Sequence, residues 1–155
     1  MSVQKLIAEA DKLLEKEKIP EAIAKLKSAI SSEPLNQLAA NKLAGIYSDT
    51  GDNVAASKVM VNLANKLSEA GKSQVAIAIY KQAMELNSND IELKIKFATE
   101  CEQVGKLGDA HNYGQQALKH FLKRKKYFDA ANLMPLLART HSKDESMKFA
   151  WVEVM

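Results

Sequence analysis

The chain has 155 residues, of which 46% are hydrophobic and 26% are charged, a composition typical of a globular protein. Its six glycines and three prolines are too few for the closely spaced turns of an all-β sandwich or barrel. A net charge of +3 does not by itself indicate a nucleic-acid partner. The single cysteine, Cys101, excludes an internal disulfide and a cysteine-based zinc site.

The hydropathy pattern gives no sign of a membrane or export segment. Residues 1–18 carry charges every few positions, so they lack the apolar core of a signal peptide. No apolar run approaches the roughly 20 residues that a membrane-spanning helix needs. We therefore expect a soluble, cytoplasmic protein with no membrane span.

Apolar residues recur at helical spacing from the start of the chain. Leu6, Ile7, Ala10, Leu13 and Leu14 lie on one face of a helix over residues 3–14. The same pattern predicts helices at 20–33, 36–49, 52–70, 73–86, 90–104, 107–125 and 128–140, and a last helix after residue 142. The breaks between them are short, which forces neighbouring helices to run antiparallel. No alternating strand pattern is present.

Alanines mark a repeat within this series of helices. Each lies five residues beyond a turn position, and successive alanines are 34, 20, 34 and 20 residues apart: Ala22, Ala56, Ala76, Ala110 and Ala130. The spacing of 34 and the residue types resemble the tetratricopeptide repeat. One unit has the signature residues Leu43, Ala44, Tyr47, Gly51, Ala56, Met60 and Leu63. Another has Phe97, Ala98, Cys101, Gly105, Ala110 and Ala117, with Gly114 where a large residue is expected.

The resemblance implies an all-α fold, a right-handed superhelical α-solenoid of about eight helices in antiparallel pairs, with a partial ninth. We expect one repeat domain over 1–155 that is part of a longer protein. Its units lie at about 3–34, 37–70, 57–90, 91–124 and 111–141, with a partial repeat at 142–155. The units overlap because the pattern has a super-period of 54 residues, so the helices near 52–70 and 107–125 each carry two signatures.

Nothing in the sequence indicates catalysis. His111, His120 and His141 are dispersed, and no nucleophile, phosphate-binding or metal motif is present. Cys101 occupies a repeat position that normally holds a packed residue, so we interpret it as a core residue. We expect no enzymatic activity, no metal and no cofactor.

The family resemblance also predicts a partner-binding groove. In tetratricopeptide proteins the first helix of each unit lines the groove, and that pattern assigns the candidate residues Asn41, Lys58, Asn62, Asn65, Lys96 and Thr99. Asparagine amides suit this role because they both donate to and accept from an extended peptide backbone. The Lys/Asn clamp by which some members hold a C-terminal carboxylate is not reproduced, since Ile7 and Asp11 occupy its first-unit positions.

Two further surfaces are candidates for interaction. One is basic, with Tyr127 and Phe128 beside it: Lys119, Lys123, Arg124, Lys125 and Lys126. It is a site for an acidic protein partner, a site for nucleic acid or lipid, or a lysine-rich helix end that complements the helix dipole. The other is an apolar face formed by Met147, Trp151 and Val154, which predicts contact with a second copy of the chain or with a following repeat.

These features predict a non-catalytic adaptor or scaffold module that binds a protein or peptide and does not bind nucleic acid. One alternative is a regulatory domain attached to an enzyme. Another is an oligomerisation domain of a larger protein, such as a bacterial motility, pilus or secretion scaffold that binds a small GTPase.

Overall fold

The computed structural model of the protein describes residues 1–141, which form eight α-helices and no strand. The helices are α1 (Val3–Glu15), α2 (Ile19–Ser32), α3 (Gln37–Asp49), α4 (Asn53–Glu69), α5 (Ser73–Leu86), α6 (Ile91–Gln103), α7 (Leu107–Lys123) and α8 (Tyr127–Thr140). The predicted all-α fold is confirmed. The predicted last helix, with Met147, Trp151 and Val154, lies outside the described residues.

The helices form two compact units. Unit 1 comprises Met1–Ser88 and contains α1 to α5, and unit 2 begins at Asn89 and contains α6 to α8. In unit 1, α4 packs against both α3 and α5, and in unit 2, α7 packs against both α6 and α8. The same is true of α2, which packs against α1 and α3, so the sharing of α4 and α7 between successive repeat units remains a prediction. A single repeat domain over 1–155 remains a prediction.

Small side chains allow the helices of unit 1 to approach closely. Ala22, Leu26 and Ala29 of α2 are completely buried against α1 and α3. Apolar residues of those helices complete the cluster: Val3, Leu6, Ile7, Ala10, Ala39, Leu43 and Ile46. The alanines that define the repeat in the sequence are all completely buried in the structure: Ala22, Ala56, Ala76, Ala110 and Ala130.

Gly114 explains the one irregular signature position in unit 2. It is buried in α7, and a Cβ added there would lie 2.9 Å from a δ-methyl carbon of Leu137 in α8. Leu137 is itself completely buried beside Ala117 and Met134. Leu137 therefore fills the space that a large side chain at position 114 would otherwise occupy.

We expect Gly45→Ala and Gly114→Ala to change stability in opposite directions. A Cβ at Gly45, an exposed position of α3, would meet nothing within 4 Å. This substitution should raise the unfolding free energy by about 0.5–1 kcal/mol, because alanine is the better helix former. At Gly114 the clash with Leu137 outweighs that gain, and we expect a loss of about 1 kcal/mol. Urea denaturation of both variants measures the difference, and equal stabilisation would show that α7 and α8 are not in close contact.

Five three-residue turns join helices with a common backbone geometry. Their middle residue has a left-handed conformation, with φ of 86°, 75° and 81° at Gly51, Gly71 and Gly105. Glu17 and Lys125 hold the same position with φ of 56° and 58°. The amide that follows each of these donates back into the preceding helix, as in helix C-caps generally. The α1–α2 and α7–α8 turns are therefore matched structures with different side chains.

Candidate binding surfaces

A groove in unit 1 runs between α2 and α4, and we call it the α2–α4 groove. It encloses about 580 Å³. Ala40 and Leu43 of α3 are buried beneath it, and Ile30, Val59 and Leu63 add apolar walls. Polar side chains from α2 and α4 complete the lining: Lys27, Ser31, Asn62, Asn65, Lys66 and Glu69. The groove therefore combines an apolar floor with a polar rim.

Two of the predicted binding residues, Asn62 and Asn65, lie together in this groove, one turn apart on α4. Asn62 is exposed and Asn65 is half-buried. The hydroxyl of Tyr80 in α5 donates to Oδ1 of Asn65 at 2.5 Å, which fixes the orientation of that amide. Lys66 and Glu69 form an ion pair at 3.0 Å on the same rim.

A second groove, the α3–α5 groove, encloses about 370 Å³ and contains Asn41. Gly45 and Ser48 of α3, Gln82 and Glu85 of α5, and Met60 of α4 also line it. Helices α3 and α5 flank the α3–α5 groove, whereas α2 and α4 flank the α2–α4 groove. Asn41 therefore lies in a different groove from Asn62 and Asn65, although the family pattern assigned all three to one groove.

The remaining predicted residues lie elsewhere. Lys58 is exposed on α4 and lines neither groove. Lys96 and Thr99 belong to α6 of unit 2, where the Lys96 ammonium is 3.9 Å from Glu92 and the Thr99 hydroxyl donates to the Ile95 carbonyl at 2.9 Å.

Asp11, at the first-unit clamp position, is occupied by a structural contact. Its carboxylate accepts from the Lys42 ammonium at 2.8 Å. This pair links α1 to α3, and the sequence reasoning missed it, as it missed the Tyr80–Asn65 hydrogen bond. The signal for both was a complementary pair on two different helices, which helical spacing alone does not identify.

The five cations of the predicted basic surface lie in unit 2, at the end of α7 and in the α7–α8 turn. Lys119, Lys123, Arg124, Lys125 and Lys126 are all exposed. Tyr127 and Phe128 follow them and are also exposed. His120 lies among these charges: partial burial lowers the pKa of its imidazole, and the positive charges of Arg124, Lys126 and Lys94 lower it further.

Residues 1–141 contain no group of three or more His, Cys, Asp or Glu side chains that is arranged to hold a metal ion. Cys101 is completely buried in α6, at the packed position expected for it. His111 joins α7 to α8 through Nδ1, 3.1 Å from the Thr140 hydroxyl. Within the same residues, every helix is too short or too polar to cross a bilayer.

Solved structures of tetratricopeptide repeat proteins are among those that resemble this chain. The structure of MamA is 17% identical over 98% of this chain and 89% of that chain, with a TM-score of 0.47. YrrB, described as a TPR protein with an unusual peptide-binding site, is 15% identical over 97% and 79%, with a TM-score of 0.43. A putative kinesin light chain of Podospora anserina with TPR-like repeats is 13% identical over 98% and 92%, with a TM-score of 0.48.

Among curated proteins, none matches the sequence of this chain. A family profile does match, and it covers residues 1–132, which include all of α1 to α7 and the first part of α8. The chain therefore belongs to the family of unknown function DUF6584.

Proposed function

We propose that the protein is a non-catalytic adaptor or scaffold module of the cytoplasm that binds a protein or peptide segment in the α2–α4 groove. The observation that carries this proposal is the apolar lining of that groove, which includes Ile30, Leu43 and Val59, beside the amides of Asn62 and Asn65. Ligand sites are generally concave, largely apolar and oriented by a few polar groups, and their volumes are about 300–1,000 Å³.

The rim amides suit an extended peptide because each offers a donor and an acceptor to the peptide backbone. Tyr80 occupies Oδ1 of Asn65, so the NH₂ group of Asn65 is the part of this amide that suits a peptide carbonyl. An amide that is oriented before the partner arrives loses less conformational entropy on binding. Apolar side chains of the partner would pack on Ile30 and Val59, which are only partly buried.

Two variants test this site without disturbing the fold. Asn62→Ala removes an exposed amide, and Asn65→Asp keeps an acceptor for Tyr80 while it removes the NH₂ donors. A peptide selected on the parent protein from a display library serves as the probe. We expect the double variant to bind that peptide about tenfold to a hundredfold more weakly, because two hydrogen bonds are lost. Fluorescence polarisation measures the affinity, and the melting temperature should change little.

The control for this experiment is the double variant Asn41→Ala/Gln82→Ala, which alters the α3–α5 groove instead. It should bind the selected peptide as the parent does. If the control loses affinity and the α2–α4 variant keeps it, the binding groove is the one between α3 and α5. If both variants bind normally, a groove in unit 1 is not the site.

A further inference from the structure

The end of α7 and the turn that follows carry a concentration of positive charge. Five cations lie between residues 119 and 126, and no carboxylate occurs from residue 110 to residue 128. All five side chains are exposed, and within residues 1–141 none of them forms an ion pair.

The α1–α2 turn shows that the fold does not require these cations. Its backbone matches that of the α7–α8 turn: the amide of Lys18 donates to Leu13 and the amide of Lys126 donates to Phe121, both at 2.9 Å. The central residues Glu17 and Lys125 have nearly the same φ. Yet residues 15–18 read Glu-Lys-Glu-Lys, whereas residues 123–126 read Lys-Arg-Lys-Lys. The same turn thus forms with balanced charges.

The helix dipole accounts for only part of the basic surface. Lys123 lies in the last turn of α7, where a cation is favourable. Lys125 and Lys126 lie beyond that helix, and Lys126 is the N-cap residue of α8, a position that lysines also hold before α2, α5 and α7. The cluster therefore differs from the other turns by its three further cations, Lys123, Arg124 and Lys125.

An exposed aromatic pair adjoins the cations. Phe128 is 80% exposed, more than any other large hydrophobic side chain in residues 1–141, and Tyr127 is 51% exposed. The four other three-residue turns have smaller or more polar residues at the position of Phe128: Pro20, Val54, Gln74 and Gly108. Seven successive residues, 123–129, are exposed, so the cations and rings project from the turn.

We propose that this turn docks on an anionic lipid surface, where the five cations contact the headgroups and Phe128 and Tyr127 enter the interface. Clusters of four to eight Lys or Arg attract anionic lipids, and stable membrane attachment generally needs a second, apolar signal. Both signals are adjacent here. The grooves described above contain none of these residues, and a peripheral contact does not need a helix that crosses the membrane.

Vesicle co-sedimentation at roughly 0.15 M salt tests the proposal. The parent should bind vesicles of phosphatidylcholine with phosphatidylserine, and it should not bind vesicles of phosphatidylcholine alone. Lys123→Glu/Lys125→Glu gives this turn the charge pattern of the α1–α2 turn, and we expect it to bind at least about thirtyfold more weakly. Phe128→Ser should weaken binding about tenfold, because the ring no longer enters the interface. Phe128→Trp should bind like the parent and show a blue-shifted fluorescence, beyond any change in the parent, on anionic vesicles.

A matched control distinguishes this site from general attraction to charge. Glu15→Lys/Glu17→Lys, added to the Lys123→Glu/Lys125→Glu variant, restores the net charge but moves the cations to the α1–α2 turn. We expect it not to restore binding, and full restoration would overturn the proposal. Binding of poly-glutamate, but not of anionic vesicles, to the basic surface would also overturn it and identify an acidic protein partner. Peptide binding in the α2–α4 groove should persist in all of these variants, so the two proposals fail independently.

Discussion

Replacing Leu26 with alanine is expected to lower the free energy of unfolding by about 2–5 kcal/mol, which is the largest effect we predict for a single substitution. Leu26 is completely buried in α2, at the centre of the cluster that joins α2 to α1 and α3. Truncation loses the transfer free energy of the side chain and leaves a cavity. The surrounding residues Ala22 and Ala29 are too small to fill it.

Urea denaturation measures this effect, and Leu38→Ala is its control. Leu38 lies on α3 but is 56% exposed, so its truncation should cost less than about 0.5 kcal/mol. Hydrogen exchange of the α1, α2 and α3 amides should accelerate in Leu26→Ala and remain near the parent value in Leu38→Ala. A loss below about 1 kcal/mol for Leu26→Ala would contradict the packing of unit 1 described above.

The positions of the helices could be predicted from the sequence because the signals for them are local. The apolar spacing along α1 is a pattern among residues close together in the chain. The turns at Gly51, Gly71 and Gly105, where φ is positive, are likewise marked by a single local residue. The predicted helices end within a few residues of those in the structure, including α7 at 107–123 against the expected 107–125. Glu17 and Lys125 show that the turn persists where glycine is absent.

The grouping of the binding residues could not be predicted in the same way. Helix α4 carries two repeat signatures, and tertiary packing decides which of its faces meets α3 and which meets α5. The sequence therefore placed Asn41 with Asn62, although Asn41 lines a different groove. Gly114 gave a similar difficulty, since only the approach of Leu137 from α8 shows why a large residue is absent there.

The repeat alignment itself makes the second strong prediction, because it assigns Ala56 and Ala110 to equivalent close contacts. Both are completely buried near the start of a helix, and their amides donate at 3.0 Å to Asp52 and Lys106, respectively. Ala56→Leu in α4 and Ala110→Leu in α7 should each cost about 1–3 kcal/mol, because the added carbons force neighbouring helices apart.

Thermal and urea denaturation of these two variants test the alignment, with Ala24→Leu and Ala138→Leu as controls. The control alanines are exposed on α2 and α8, so a leucine there meets solvent rather than a packed helix. We expect the controls to unfold within about 0.5 kcal/mol of the parent, since surface substitutions away from special features have small effects. If Ala56→Leu and Ala110→Leu unfold like their controls, the two alanines are not close-contact positions, and the 54-residue correspondence between α3–α5 and α6–α8 is wrong. If only one variant is destabilised, packing at the start of α4 differs from packing at the start of α7. Positions that are equivalent in the sequence repeat are then not equivalent in the structure.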